Sequence, residues 1–89
     1  MPPFNIKRAA MQLDDESRFV GSTIFEVEGH TGAYEITFLS KNGKDWDYSL
    51  HFADEPGPEE QFLLIDAQLE ENEDLFDDLL DAAVEAGGF

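Results

Sequence analysis

The sequence predicts an α+β fold, a three-stranded antiparallel meander followed by two C-terminal helices packed on one sheet face. Three observations carry this reading. Hydrophobicity alternates with period two from Arg18 to Phe52, the repeat of strands whose side chains point to opposite faces. The connector Ala53-Asp54-Glu55-Pro56-Gly57-Pro58 then breaks the alternation, and beyond it apolar residues recur at helical spacing. The chain has 89 residues, among them 8 Phe, 2 Tyr and 1 Trp, enough for one small aromatic core. The expected organisation is a single acidic domain over 1–89, with the meander at 18–53 and the helical segment at 58–86.

Residues 4–13 carry Phe4, Ile6, Ala9, Ala10, Met11 and Leu13 around the basic pair Lys7-Arg8. They fit a short strand or a helical turn, and their period does not choose. Asp14-Asp15-Glu16-Ser17 is a polar break. The first strand, roughly 19–28, places Phe25 and Val27 on one side, and a bulge or the strand start is expected near Gly21-Ser22-Thr23. Gly29-His30-Thr31-Gly32 supplies the reversal, with glycines where positive φ is expected. The second strand alternates Tyr34, Ile36 and Phe38 with Glu35 and Thr37.

The third strand, Asp45–Phe52, is the clearest. Trp46, Tyr48, Leu50 and Phe52 take one side, and Asp45, Asp47, Ser49 and His51 take the other. A two-residue turn at Asn42-Gly43 would set the aromatic row opposite the acidic row. A three-residue loop, Lys41-Asn42-Gly43 with Gly43 left-handed in a bulge, is therefore expected, pairing Phe38 with Trp46, Ile36 with Tyr48 and Tyr34 with Leu50. The outer face then carries Val20, Ile24 and Leu39 among Thr37, Asp47 and Ser49. Residues 4–13 are expected to cross that patch; otherwise it is open to a partner or to a second copy in a homo-oligomer.

Pro58-Glu59-Glu60 opens the helical segment, because proline fits the first turn and acids suit the positive helix end. Phe62, Ile65 and Leu69 follow at helical spacing. A strand at 61–67 is the alternative for Phe62-Leu63-Leu64-Ile65, but the acid-rich continuation suits a helix better. Asn72 caps a second helix with Glu73 and Asp74 in its first turn. Leu75, Phe76, Leu79, Leu80, Ala83 and Val84 form its apolar stripe, and Gly87-Gly88 ends it.

The charge is lopsided. The formal net charge is −16, with 21 acids against 5 basic residues. All five basic residues lie before residue 54, whereas the last 36 residues hold 13 acids and no Lys or Arg. Such a balance argues against direct binding to nucleic-acid phosphates, which needs a basic footprint. It equally disfavours anionic lipid surfaces. Absence of cysteine removes disulfides, Fe–S clusters and thiolate zinc sites. No apolar run approaches the ~18 residues of a membrane span. Met1-Pro2-Pro3-Phe4-Asn5 lacks the charged-then-apolar layout of a secretion signal, so a cytoplasmic location is expected.

The acids point to a protein partner. Asp66, Glu70, Glu73, Asp74, Asp77, Asp78, Asp81 and Glu85 are expected on the helical face turned away from the sheet, forming a docking surface for a positively charged protein. Like-charged pairs at i,i+4, such as Asp74/Asp78 and Asp77/Asp81, destabilise a helix, and no Lys or Arg is interleaved as on ordinary surfaces. The alternative is a nucleic-acid mimic occupying a DNA- or RNA-binding protein. Duplex DNA carries about one charge per 1.7 Å of axis, and acids spaced along helices of ~1.5 Å rise reach a comparable order. The plain counter-reading is a solvated face serving solubility or salt adaptation.

Other chemistries are weaker. Asp45-Trp46-Asp47-Tyr48-Ser49 begins like a calcium loop, but Leu50 replaces the sixth-place glycine and Pro56 the twelfth-place glutamate. His51, Ser49 and Glu35 allow a Ser/His/acid drawing, with Glu35 facing Ser49. That drawing sits on an open sheet face without a nucleophile turn. His30 reads as a loop residue. No catalytic residue, metal ligand or cofactor is expected, and the protein reads as a non-enzyme.

Overall fold

The structure, a computed structural model, describes residues 3–89. It is an α+β fold with a four-stranded antiparallel sheet and two C-terminal helices. The strands β1 (Phe4–Leu13), β2 (Phe19–Val27), β3 (Ala33–Ser40) and β4 (Asp47–Phe52) lie side by side in chain order. Helices α1 (Glu59–Glu71) and α2 (Glu73–Ala86) cover one face. The three-stranded expectation is thus corrected to four, and the meander begins at Phe4 rather than at residue 18.

The added strand is the ambiguous segment 4–13. Phe4 pairs with Val27 and Ile6 with Phe25, then Arg8 with Ile24 and Met11 with Gly21, leaving Lys7 as an extra residue in a bulge. The bulge changes the phase of the alternation: Phe4 and Ile6 share the inner face with Ala9, Met11 and Leu13, an even run followed by an odd one. A strict period of two fails on such a segment. The charged Lys7 at the bulge also blunts an exposed sheet edge, and its Nζ lies 3.0 Å from Glu26 Oε1. Because β1 lies in the sheet, it does not cross the outer face as expected, and Val20 and Leu39 stay exposed there.

β2 is continuous through Gly21-Ser22-Thr23, so the irregularity expected there is absent; it sits across the ladder at Lys7. Gly21 is small for a packing reason. A Cβ there would stand 2.5 Å from the Ala10 carbonyl oxygen and 2.7 Å from Met11 Sδ.

The β3–β4 register also differs from expectation. Phe38 pairs with Tyr48, Ile36 with Leu50 and Tyr34 with Phe52, a slip of two that keeps the aromatic row inward. The loop is longer than three residues because side chains organise it. Ser40 Oγ accepts from Gly43 N at 2.8 Å, and Asn42 Oδ1 accepts from the main-chain N–H groups of Lys44 and Asp45 at 2.8 and 2.9 Å. Gly43 does take the expected left-handed conformation, with φ 76°.

The core fills the space between sheet and helices. Phe25, Tyr34, Ile36, Phe38, Ile65 and Leu79 are essentially inaccessible to water. Residues 61–67 are helical, not a strand. Gln61 Oε1 accepts from Thr31 N at 2.8 Å, and the Phe62 ring lies 5.1 Å from Phe52 and 6.4 Å from Tyr34, anchoring the start of α1. α2 crosses towards β2 and β1, and Thr23 Oγ1 donates to the Leu79 carbonyl at 2.7 Å. The helix ends in a Schellman arrangement: Gly88 N donates to Glu85 O and Phe89 N to Val84 O, with Gly88 at φ 78°.

His30 has a structural task. Its Nδ1 lies 2.8 Å from the hydroxyl of fully buried Tyr34, giving that phenol a partner at the edge of the core. No helix among the described residues is long and apolar enough to cross a membrane.

Candidate functional site

Two backbone features place the acids. Asn72 adopts an extended conformation, φ −118° and ψ 96°, and breaks the helix between Glu71 and Glu73. Its Oδ1 accepts from Asp74 N at 3.1 Å and Leu75 N at 3.3 Å, capping α2. The second feature is the burial of Leu75, Leu79 and Ala83. With those residues against the sheet, 3.6-residue periodicity sends the intervening carboxylates to water.

All eight acids expected at the site fall on these helices. Glu70, Glu73, Asp74, Asp77, Asp78, Asp81 and Glu85 are exposed, and Asp66 is half-buried. None is ion-paired among the described residues. The cations that do pair serve the sheet: Lys7 with Glu26, and Arg18 with Asp14 and Glu16. Neither helix has a basic residue in its last turn, where a cation would complement the helix dipole.

The carboxylates are not equivalent. Glu70, Glu73 and Asp77 rim a notch of about 450 Å³ at the corner where β4, α1 and α2 meet. Its remaining lining is Trp46, Tyr48, Leu69 and Phe76. The Tyr48 and Phe76 rings stand 5.2 Å apart, Phe76 meets Phe38 edge-on at 5.7 Å, and Trp46 meets Phe38 edge-on at 6.3 Å. Trp46, Tyr48 and Phe76 are each half-buried, so their rings are rooted in the core and still reach solvent. Burial first, then the negative charges of Glu70 and Asp66, push the Tyr48 phenol above its ordinary value. Asp74, Asp78, Asp81 and Glu85 lie outside the notch lining.

The aromatic part of this site is not visible in the sequence, where the 8 Phe, 2 Tyr and 1 Trp predict only an aromatic core. A signal existed: Trp46 and Tyr48 belong to the aromatic row of the last strand, and a last strand in a meander is an edge. Leu63 and Leu64 were also not singled out as surface residues, yet they are 54% and 60% exposed beside the acids of α1.

The outer sheet face holds the polar set considered for catalysis. Thr37 Oγ1 lies 2.8 Å from Ser49 Oγ, which lies 3.0 Å from His51 Nε2. Glu35 faces His51 rather than Ser49, a consequence of the corrected register. Ser49 and His51 are both exposed to water. Among the described residues no three His, Asp or Glu side chains converge closely enough to hold a metal ion. Comparison with known proteins finds no matching family model, no curated protein of significant similarity and no solved structure of significant similarity.

Proposed function

We propose that this chain is a non-enzymatic acidic binding module that recognises a positively charged protein through the helical face of residues 66–85. The observation that carries the reading is the uncompensated charge of that face: seven of its eight named acids are exposed and none is ion-paired among the described residues. α2 bears like-charged neighbours at i,i+4 along Glu73, Asp77, Asp81 and Glu85, and again at Asp74 and Asp78. Each pair costs a few tenths of a kcal/mol. A surface needing only solubility gains nothing from concentrating that repulsion on one helix, whereas a docking face gains association rate and selectivity.

The test is affinity capture of basic proteins from a native lysate, run in parallel with the variant carrying Asp77→Asn, Asp78→Asn and Asp81→Asn. Capture is expected to be strongest at about 0.01 M salt and to weaken without vanishing near 0.15 M, as the Debye length falls from about 30 to about 8 Å. The variant is expected to capture little at either salt. Competition by duplex DNA or RNA for the same partner identifies nucleic-acid mimicry; its absence identifies a partner whose basic surface serves another purpose. Equal capture by both proteins, with the variant folded, contradicts the proposal.

A further inference from the structure

We infer that the notch between β4, α1 and α2 seats one arginine side chain of the basic partner, its guanidinium resting on Trp46 and Tyr48 and hydrogen-bonded by the carboxylates of Glu70, Glu73 and Asp77. This rests on the reading of the helical face as a docking surface, and it adds what that face selects. Charge alone would be served by acids scattered over the helices. Here three of them line one notch together with half-buried aromatic residues that remain open to water.

The chemistry favours arginine over lysine. A guanidinium is planar and weakly hydrated, so it stacks on an aromatic face at little desolvation cost, while its five donors can satisfy two carboxylates at once. A lysine ammonium is compact and strongly hydrated and would remain at the rim. The notch carries the matching charge, since no described cation of the chain is ion-paired with the rim acids.

Trp46 is the only tryptophan, so its fluorescence reports occupancy without a label. The probes are a glycine-spaced tetra-arginine peptide and its tetra-lysine counterpart, titrated at low salt into the full chain. Two variants of equal charge separate the seat from the field. One neutralises the rim (Glu70→Gln, Glu73→Gln, Asp77→Asn), and the other neutralises acids outside it (Asp74→Asn, Asp78→Asn, Asp81→Asn).

The arginine peptide is expected to shift the Trp46 emission and to bind about threefold tighter than the lysine peptide, the scale of one exposed cation–π contact. Rim neutralisation is expected to weaken it about tenfold, the outer set by less than half as much on a logarithmic scale. Equal weakening by both sets, with arginine and lysine indistinguishable, overturns the seat and leaves the acidic face standing. No binding of either peptide to the unmodified chain removes both readings. Thermal unfolding checks that each variant folds, and Glu73→Gln alone replaces the rim set should that set unfold.

Discussion

Thr23 on β2 donates its hydroxyl hydrogen to the main-chain carbonyl of Leu79 on α2, 2.7 Å away and out of contact with water. Fifty-six residues separate the two. The bond ties α2 to β2 beside Leu79 and adds to the burial of Leu75, Leu79 and Ala83, which turns Asp77, Asp78 and Asp81 to water.

Thr23→Val keeps the shape and removes the donor. The expected loss is about 1 kcal/mol, typical of a neutral buried hydrogen bond. In a domain of this size that lowers Tm by about 4–8 °C, read by thermal denaturation. An unchanged Tm would show that the Leu79 carbonyl is satisfied within the helix alone.

Gly21→Ala tests the packing of β1 on β2. The added methyl has no room beside the Ala10 carbonyl oxygen and Met11 Sδ, and Met11 is itself buried beneath the end of α2. A loss of about 1–3 kcal/mol is expected, in line with overpacked cores. Urea denaturation measures it, and a shift in midpoint without a change in slope confirms that native packing is the cause.

Neutralising Asp77, Asp78 and Asp81 removes all of the like-charged i,i+4 pairs of α2 named above. At a few tenths of a kcal/mol each, the variant should be more stable by about 1 kcal/mol at low salt. Added sodium chloride should raise Tm of the unmodified chain and raise that of the variant less, because screening acts on repulsion the variant has lost. A destabilised variant would mean that these carboxylates make favourable contacts.

Alkaline pH should weaken the fold through two phenols. Burial holds the Tyr34 hydroxyl above its ordinary value, and burial with Glu70 and Asp66 does the same for Tyr48. Both are neutral in folded and unfolded chains below the unfolded-state value of about 10, so stability is undiminished there. As pH rises through the folded-state values the unfolded chain releases its protons first, and stability falls. Tyr48→Phe should shrink the slope of unfolding free energy against pH in that range. An unaltered slope would assign the effect to other groups.

The elements legible in the sequence were those with an unbroken period. β3 and β4 alternate cleanly, and α2 shows its stripe, its Asn72 cap and its Gly87-Gly88 terminus together. β1 was hidden because the bulge at Lys7 moves its apolar residues from even to odd positions. The register of β3 on β4 was hidden for a related reason. A slip of two preserves the facing of every side chain, so hydrophobic pattern cannot distinguish the alternatives, and the loop is set by Ser40 and Asn42 hydrogen bonds instead. Of the candidate site, the acids were readable because a helical period assigns them to water once Leu75 and Leu79 are placed. The notch was not, because Glu70, Glu73 and Asp77 meet Trp46 and Tyr48 only across a tertiary corner.

The most direct measurement is a map of amide chemical-shift changes when the tetra-arginine peptide is added to isotope-labelled protein at low salt. The account predicts changes centred on Trp46, Tyr48 and residues 69–77, fading as salt is raised. Changes centred instead on Val20, Leu39 and the outer sheet face, or none at all, would contradict it.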